Sequence, residues 1–201
     1  MRKIGYPDKW KDYSSLDLHP DDFIGNIIAC RKWQFDYQTS KLFKPVDRTE
    51  WDMTPQTYNA YYNPSNNEIV LPAAIFTIPG FADSLIDDAV VYGYGAASTI
   101  GHEITHGYDD QGRKYDLEGN LKDWWTEKDA REFEARAQKL VDQYSAYEAL
   151  PGVKVNGRLT LGENIADLGG VSIAYEALQR SLARNPSGRK VVDGFTPEQR
   201  F

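Results

Sequence analysis

The sequence predicts a mainly α-helical fold with a small β-sheet (α+β), and three observations predict it. Apolar residues keep helical spacing through four long segments. One short apolar run, Glu68-Ile69-Val70-Leu71, is bounded by turn residues in the way a strand is. Hydrophobic residues make up 41% and charged residues 26% of the 201 positions, the balance of an ordinary folded chain. That length accommodates one domain, or one domain and part of another.

Each element follows from local signals. The opening stretch Ile4-Gly5-Tyr6-Pro7-Asp8-Lys9-Trp10 is punctuated by Gly and Pro and reads as irregular. A helix is expected from Pro20 to about Lys41, with Phe23, Ile27, Ala29, Cys30, Trp33, Phe35 and Tyr37 as a rough apolar face. Cys30 within it reads as a small core residue. Residues 47–65 are polar and turn-rich. The strand at Glu68–Leu71 runs into Pro72, which cannot donate to a ladder, so an edge position is expected.

A long helix is then expected from about Asp83 to Tyr108, through Ile86, Val90, Tyr94, Ala97 and Thr105. Ala97, Ile100 and Ile104 suggest that it is buried, and Gly107 with the turn Asp109-Asp110-Gln111-Gly112 ends it. Trp124-Trp125 reads as core packing. Another helix starts after Thr126, where Glu127 and Asp129 suit the positive end of the macrodipole. Phe133, Ala137, Leu140, Val141, Tyr144 and Tyr147 form its face, and Pro151-Gly152 stops it. The last long helix spans about Thr160 to Arg184. Gly169-Gly170 in its middle costs about 1 kcal/mol of helix propensity per residue, a cost tolerated where another backbone must pass close by.

Several functional classes are excluded. A single cysteine leaves no intrachain disulfide framework and no Cys-based metal cluster. A net charge of −7 leaves no global basic footprint, so no nucleic-acid partner is expected. No apolar run approaches the roughly 20 residues that cross a bilayer, so no transmembrane segment is expected in this chain. Oligomeric state and cellular location are not legible.

The chemistry turns on 3 histidines, His19, His102 and His106. In His102-Glu103-Ile104-Thr105-His106, four residues advance about 400° on a helix, which puts both imidazoles on one face, one turn apart. Both can then reach one metal ion at about 2.0–2.1 Å, the Zn–N distance. Glu103 is rotated by about 100°, so it flanks the metal and is placed to take a proton from the activated water. A chance match anywhere in the chain has a probability of about 0.3% by composition. The plain alternative, a surface helix showing two histidines and a glutamate, sits badly with the apolar flanks.

A catalytic zinc keeps three protein ligands and one open position. His19 lies far upstream in a loop-like stretch and reads as a surface residue, so the third ligand should be a carboxylate. Glu163, in an apolar, glycine-flanked helical segment where an unpaired carboxylate would be expensive, is the best candidate. Asp167, four residues on, shares its face and is placed to accept the second ring N–H of a ligand histidine. The rival to an enzyme is a non-catalytic zinc-containing binding or interaction domain, whose metal would have four protein ligands. Gly93-Tyr94-Gly95-Ala96-Ala97-Ser98 only partly matches a nucleotide-binding G-x-G-x-x-G and lies inside a helix, so close packing explains it better.

Gly101-His102-Glu103-Ile104-Thr105-His106-Gly107-Tyr108-Asp109-Asp110 resembles the signature of the neprilysin-type (M13) zinc metallopeptidases. So does Gly162-Glu163-Asn164-Ile165-Ala166-Asp167-Leu168-Gly169-Gly170. The resemblance extends to Asn59-Ala60-Tyr61-Tyr62-Asn63-Pro64, Leu71-Pro72-Ala73-Ala74-Ile75 and Asp116-Leu117-Glu118-Gly119-Asn120-Leu121 with Trp124-Trp125. It also takes in the approach Lys3–Trp10. It implies a zincin-like metallopeptidase catalytic lobe with one Zn²⁺ per chain and peptide substrates. His102, His106 and Glu163 correspond to the metal ligands, and Glu103 to the general base. Asp167 and Asp109 correspond to the carboxylates that orient the ligand histidines, Asp167 counting with Glu103 among the catalytic residues. Asn59 and Ala60 resemble the segment that pairs with the substrate backbone.

On this resemblance, residues 1–50 are the end of a helical N-terminal region, and 51–201 a catalytic domain truncated at its C-terminus. The run Phe76-Thr77-Ile78-Pro79-Gly80-Phe81 is looser than the family's usual Leu-Gln-x-Pro-Phe. The family continues into helices bearing a histidine and an arginine that stabilise the transition state. The chain is therefore expected to be part of a longer enzyme, and to cleave peptides poorly by itself. With one cysteine it is closer to bacterial members than to disulfide-rich animal ones.

Overall fold

The computed structural model describes residues 1–81 and 86–201. It is mainly helical with a small sheet, and it forms two compact units, Pro7–Asp52 and Met1–Tyr6 with Met53–Phe201.

The smaller unit is built on α1 (Phe23–Thr39). Asp22 starts that helix, because its carboxylate accepts the Gly25 N–H at 2.8 Å; Pro20 stays outside. Trp33 stacks on Tyr37 with ring centroids 5.1 Å apart, and Tyr13 tilts against Trp33 at 4.6 Å. Glu50 accepts from the Tyr37 hydroxyl at 2.8 Å and from Lys41 Nζ at 2.7 Å. Burial, and then the Glu50 carboxylate, push the Tyr37 hydroxyl up to about 12. Cys30 corrects the expectation of a core position: it is exposed, as are Phe23, Ile24, Ile28 and Phe35. Tyr13, Lys41 and Glu50 cover the Trp33–Tyr37 part of the face that helical periodicity identified, and Phe23, Ile27, Cys30 and Phe35 of that face stay exposed.

The larger unit opens with a three-stranded sheet in the order β1-β3-β2. β1 (Arg2–Gly5) runs parallel to β3 (Glu68–Pro72), and β2 (Tyr61–Asn63) pairs antiparallel on the other side of β3. Two expectations are corrected here. Ile4 and Gly5, expected in the irregular opening stretch, belong to a strand, which Gly5 ends at φ +87°, while residues 6–10 are irregular as expected. β3 is the central strand with all five residues buried, not an edge. Pro72 is compatible with this because it is the last residue of the strand, opposite Gly5, and interrupts no bond further in. The Lys3 ammonium and Glu68 carboxylate, 2.8 Å apart and almost wholly buried, tie β1 to β3.

The histidine-bearing segment is not one α-helix. α2 (Asp88–Val90), capped by Asp87, runs into a π-helix at Val91–Gly101 and then into α3 (His102–His106). The expected start at Asp83 lies outside the described residues. Bonding from i to i+5 shifts the phase of the apolar pattern. Ala97, Thr99 and Gly101 therefore face inwards, while Ile100 and Ile104, expected to be buried, are exposed.

α4 (Glu127–Ala146) is capped by Thr126, whose hydroxyl accepts the Asp129 N–H at 3.1 Å. It ends at Ala146, before the expected stop. Tyr147 leaves the helix, and Pro151-Gly152 form the turn of a hairpin, β4 (Glu148–Leu150) with β5 (Val153–Lys154). Ala137 and Val141 pack on Leu161 of α5 (Leu161–Arg184), with Phe133, Leu140 and Ile165 around them. Ala89, Leu178 and Leu182 form a second cluster with Tyr92 and Phe201, beside the short α6 (Pro197–Arg200). Trp125 packs on Phe133 and beneath the Arg113 guanidinium. Trp124, also expected in the core, is half exposed and donates its indole N–H to Tyr115 O.

α5 crosses the π-helix and α3 at backbone contact, as the glycine pair predicts. A Cβ at Gly170 would lie 2.2 Å from Ala97 O, and one at Gly101 would lie 2.8 Å from Gly170 Cα. Gly170→Ala should therefore destabilise the chain by roughly 3 kcal/mol or more. Gly95→Ala, with open space at its Cβ, should be neutral or stabilising by up to about 1 kcal/mol. Urea unfolding of the two variants checks the contrast.

Candidate metal centre

α3 places His102 and His106 one turn apart, with ring centroids at 4.6 Å and planes at 86°. Their Nε2 atoms are 3.0 Å from each other. On the far side of each ring is a carboxylate: Asp167 Oδ1 lies 2.7 Å from His102 Nδ1, and Asp109 Oδ2 lies 2.8 Å from His106 Nδ1. A carboxylate only accepts, so each Nδ1 carries the proton and each Nε2 presents a lone pair. Glu163 Oε2 completes the group at 3.3 Å from His102 Nε2 and 3.7 Å from His106 Nε2.

These donors fit a zinc ion. Two lone pairs 3.0 Å apart repel unless a cation lies between them, and two nitrogens bound to one tetrahedral Zn²⁺ stand roughly 3.3 Å apart. Among the described residues, three ligand atoms converge within 4.8 Å, two imidazole nitrogens and one carboxylate oxygen, which leaves a fourth position open.

The helix crossing makes the arrangement. Glu163 and Asp167 sit four residues apart on α5, and the contact at Gly170 holds that face against α3. The centre lines a cleft of about 450 Å³ whose other wall is Met53 and Asn59–Tyr62, that is, β2 and the residues leading into it. The edge strand at the site is therefore β2, not Glu68–Leu71. Asn59 is exposed and Ala60 buried, and the Ala60 N–H donates to Asn59 Oδ1 at 2.9 Å.

The model of peptidase family M13 matches residues 59–201. The chain belongs to this family. It is 44% identical over 191 residues to an endothelin-converting enzyme homolog of Locusta migratoria, covering 91% of this chain and 26% of that protein. Its structure is similar to the zinc metalloprotease Zmp1 of Mycobacterium tuberculosis, solved with an inhibitor. That match has a TM-score of 0.90 at 53% identity and covers 99% of this chain and 31% of that one. PepO from Lactobacillus rhamnosis matches with a TM-score of 0.78 at 35% identity, over 89% of this chain and 28% of that one. The M13 chain thus spans about a quarter to a third of the length of the relatives it matches.

Within this M13 chain the charged groups sit in unlike surroundings. Glu103 is buried, and burial pushes its carboxyl above the usual range against the pull of His106, His102 and the Tyr62 N–H. The hydrogen bond to Asp109 raises His106 against its own burial. Burial would raise Asp109, but the bonds from His106 and from the Gly112 and Gln111 N–H groups outweigh it and hold Asp109 low. Glu163 and Asp167 correct the burial argument made from sequence. Their side chains are 70% and 64% exposed, and what distinguishes them is that they point at the histidines. His19 is exposed and belongs to the smaller unit.

Sequence reasoning missed Tyr62. Its only signal was its place in the Asn59–Pro64 run, because a main-chain donor leaves no trace in residue identity.

The two aspartates should differ in what they contribute to stability. Asp109→Ala orphans the Gln111 N–H and the buried Gly112 N–H, so metal-free protein should lose about 2–4 kcal/mol. Asp167→Ala removes one exposed partner and should cost about 1 kcal/mol or less. Urea denaturation of both variants without metal measures the difference.

Proposed function

We propose that this chain carries the catalytic centre of a zinc-dependent metalloendopeptidase that hydrolyses peptide bonds in peptides. The observation that carries the reading is the convergence of the His102 and His106 Nε2 atoms, 3.0 Å apart, with Glu163 beside them and the buried Glu103 on the same helix. Membership of the M13 family supports it, as does similarity to a protein described as a zinc metalloprotease. In this reading residues 51–201 form the catalytic domain, joined by β1, and residues 7–50 end the helical region before it.

His102, His106 and Glu163 hold one Zn²⁺. When bound, zinc supplies a Lewis acid that lowers the pKa of water towards about 7 and polarises the scissile carbonyl. Glu103 accepts the proton of the attacking water and delivers it to the leaving amine. Its burial supports this role, because a carboxyl that has become more basic takes up a proton more readily. Asp167 and Asp109 act through the imidazoles by keeping Nδ1 protonated, so that Nε2 stays turned to the metal. Asn59 and Ala60, at the start of the edge strand, receive the substrate backbone by main-chain hydrogen bonds. With three convergent protein donors among the described residues, the fourth position left to water favours catalysis over a closed structural site.

In the full-length protein Glu103→Gln should keep about one zinc per chain and lower kcat on a fluorogenic peptide by at least ~10³-fold. His106→Ala should lose the metal. A zinc stoichiometry near zero in the unmodified protein, or undiminished turnover by Glu103→Gln, would sink the reading.

A further inference from the structure

The strand bordering the centre meets the helix carrying Glu103 at Tyr62. Tyr62 is the middle residue of β2, an edge strand three residues long that, among the described residues, pairs with β3 alone. It lines the same cleft as Glu103, and its main-chain N–H lies near enough to the Glu103 carboxylate to favour the ionised form. Its half-buried ring lies against the end of α3, where a methyl group on Gly107 would come within 3.1 Å of Cζ and the hydroxyl oxygen. The hydroxyl donates to Asn67 Oδ1 at 2.8 Å.

Asn67 closes the turn between β2 and β3 at φ 46°, and its Nδ2 donates to Leu117 O at 3.1 Å. The loop that supplies Leu117 touches this turn a second time. Gly119 approaches so closely that a Cβ there would lie 1.9 Å from Ser65 O. Asp116 stiffens the loop by accepting the N–H groups of Glu118 at 3.1 Å and Asn120 at 2.9 Å. A continuous brace therefore runs from residues 116–120 through Asn67 and Tyr62 to Glu103. This gives a task to a sequence motif that the metal centre itself does not use.

We propose that Tyr62 is a positioning residue for the general base, and that the loop at residues 116–120 acts through it to hold β2 against α3. The proposal rests on the reading of Glu103 as that base. A short edge strand paired on one side only can shift sideways, and catalytic efficiency falls steeply with displacements of about 1 Å. The side-chain ties of Tyr62 remove that freedom at the residue whose N–H lies near the carboxylate.

Two variants of the full-length protein test it without cutting the main-chain contact. Tyr62→Phe removes only the hydroxyl. Asn67→Gly removes its acceptor and adopts the positive φ with less strain. Each should lower kcat roughly five- to tenfold, with KM within about twofold and zinc content unchanged. The double variant should be no worse than the poorer single one, because both break the same hydrogen bond. Asn67→Asp keeps the acceptor for Tyr62 but loses the Nδ2 donor to Leu117 O, so it should recover only part of the kcat.

Unchanged kcat in both single variants overturns the proposal. So do losses that multiply in the double variant, a raised KM at constant kcat, or a fall in zinc content that accounts for the lost activity. Glu103→Gln assayed in parallel separates the two levels. Full turnover there refutes the base itself, whereas an inactive Glu103→Gln beside a normal Tyr62→Phe refutes the brace alone.

Discussion

Everything at the centre depends on two backbones touching. At the crossing of α5 with the π-helix and α3, Gly170 faces Ala97 O and Gly101 faces Gly170 Cα, at distances that leave no room for a side chain. That contact sets the depth at which α5 sits, and so sets where Glu163 and Asp167 meet the two histidines. Each glycine in a helix costs about 1 kcal/mol of propensity, and close approach is the return on it. A wider crossing would carry the carboxylates away from the imidazoles.

The electrostatics follow from the same packing. Each imidazole is bonded at Nδ1 by a carboxylate, so both Nε2 lone pairs are turned to one point. The two orienting aspartates do this from different surroundings. Asp109 is buried and also accepts two main-chain N–H groups, so it is part of the turn that ends α3. Asp167 is exposed on α5 and meets His102 alone of the two histidines. Glu103 differs again, since burial makes it more basic while the neighbouring imidazoles restrain the shift. One short helix thus turns the imidazole lone pairs and the Glu103 carboxylate into the same cleft.

Much of the centre was legible because its logic is local. His102, Glu103 and His106 lie within one helical turn, so spacing alone sets their relative directions. The Gly169-Gly170 pair announced a close crossing before its partner was known. Asp167 followed from its offset of four from Glu163. The errors came where a partner decided the outcome. Cys30, Ile100, Ile104 and Trp124 are apolar and at plausible core positions, yet each is exposed, because the described residues do not enclose them. β3 read as an edge because of Pro72, but strand order depends on residues 2–5 returning to it from far away in the chain. The π-helix left no mark on a 3.6-residue pattern.

The sequence by itself determined the helical character of the chain, the chemistry of its donors and the pairing of His102 with His106, because these depend on residue type and short spacing. Only the tertiary structure decided that β3 is central, that β2 forms the cleft wall, and that Glu163 and Asp167 reach the histidines as exposed groups. It also decided that Tyr62 comes to lie beside Glu103, with its main-chain N–H favouring the ionised carboxylate. Those facts depend on which distant segments touch, and a backbone donor is the same in every residue but proline.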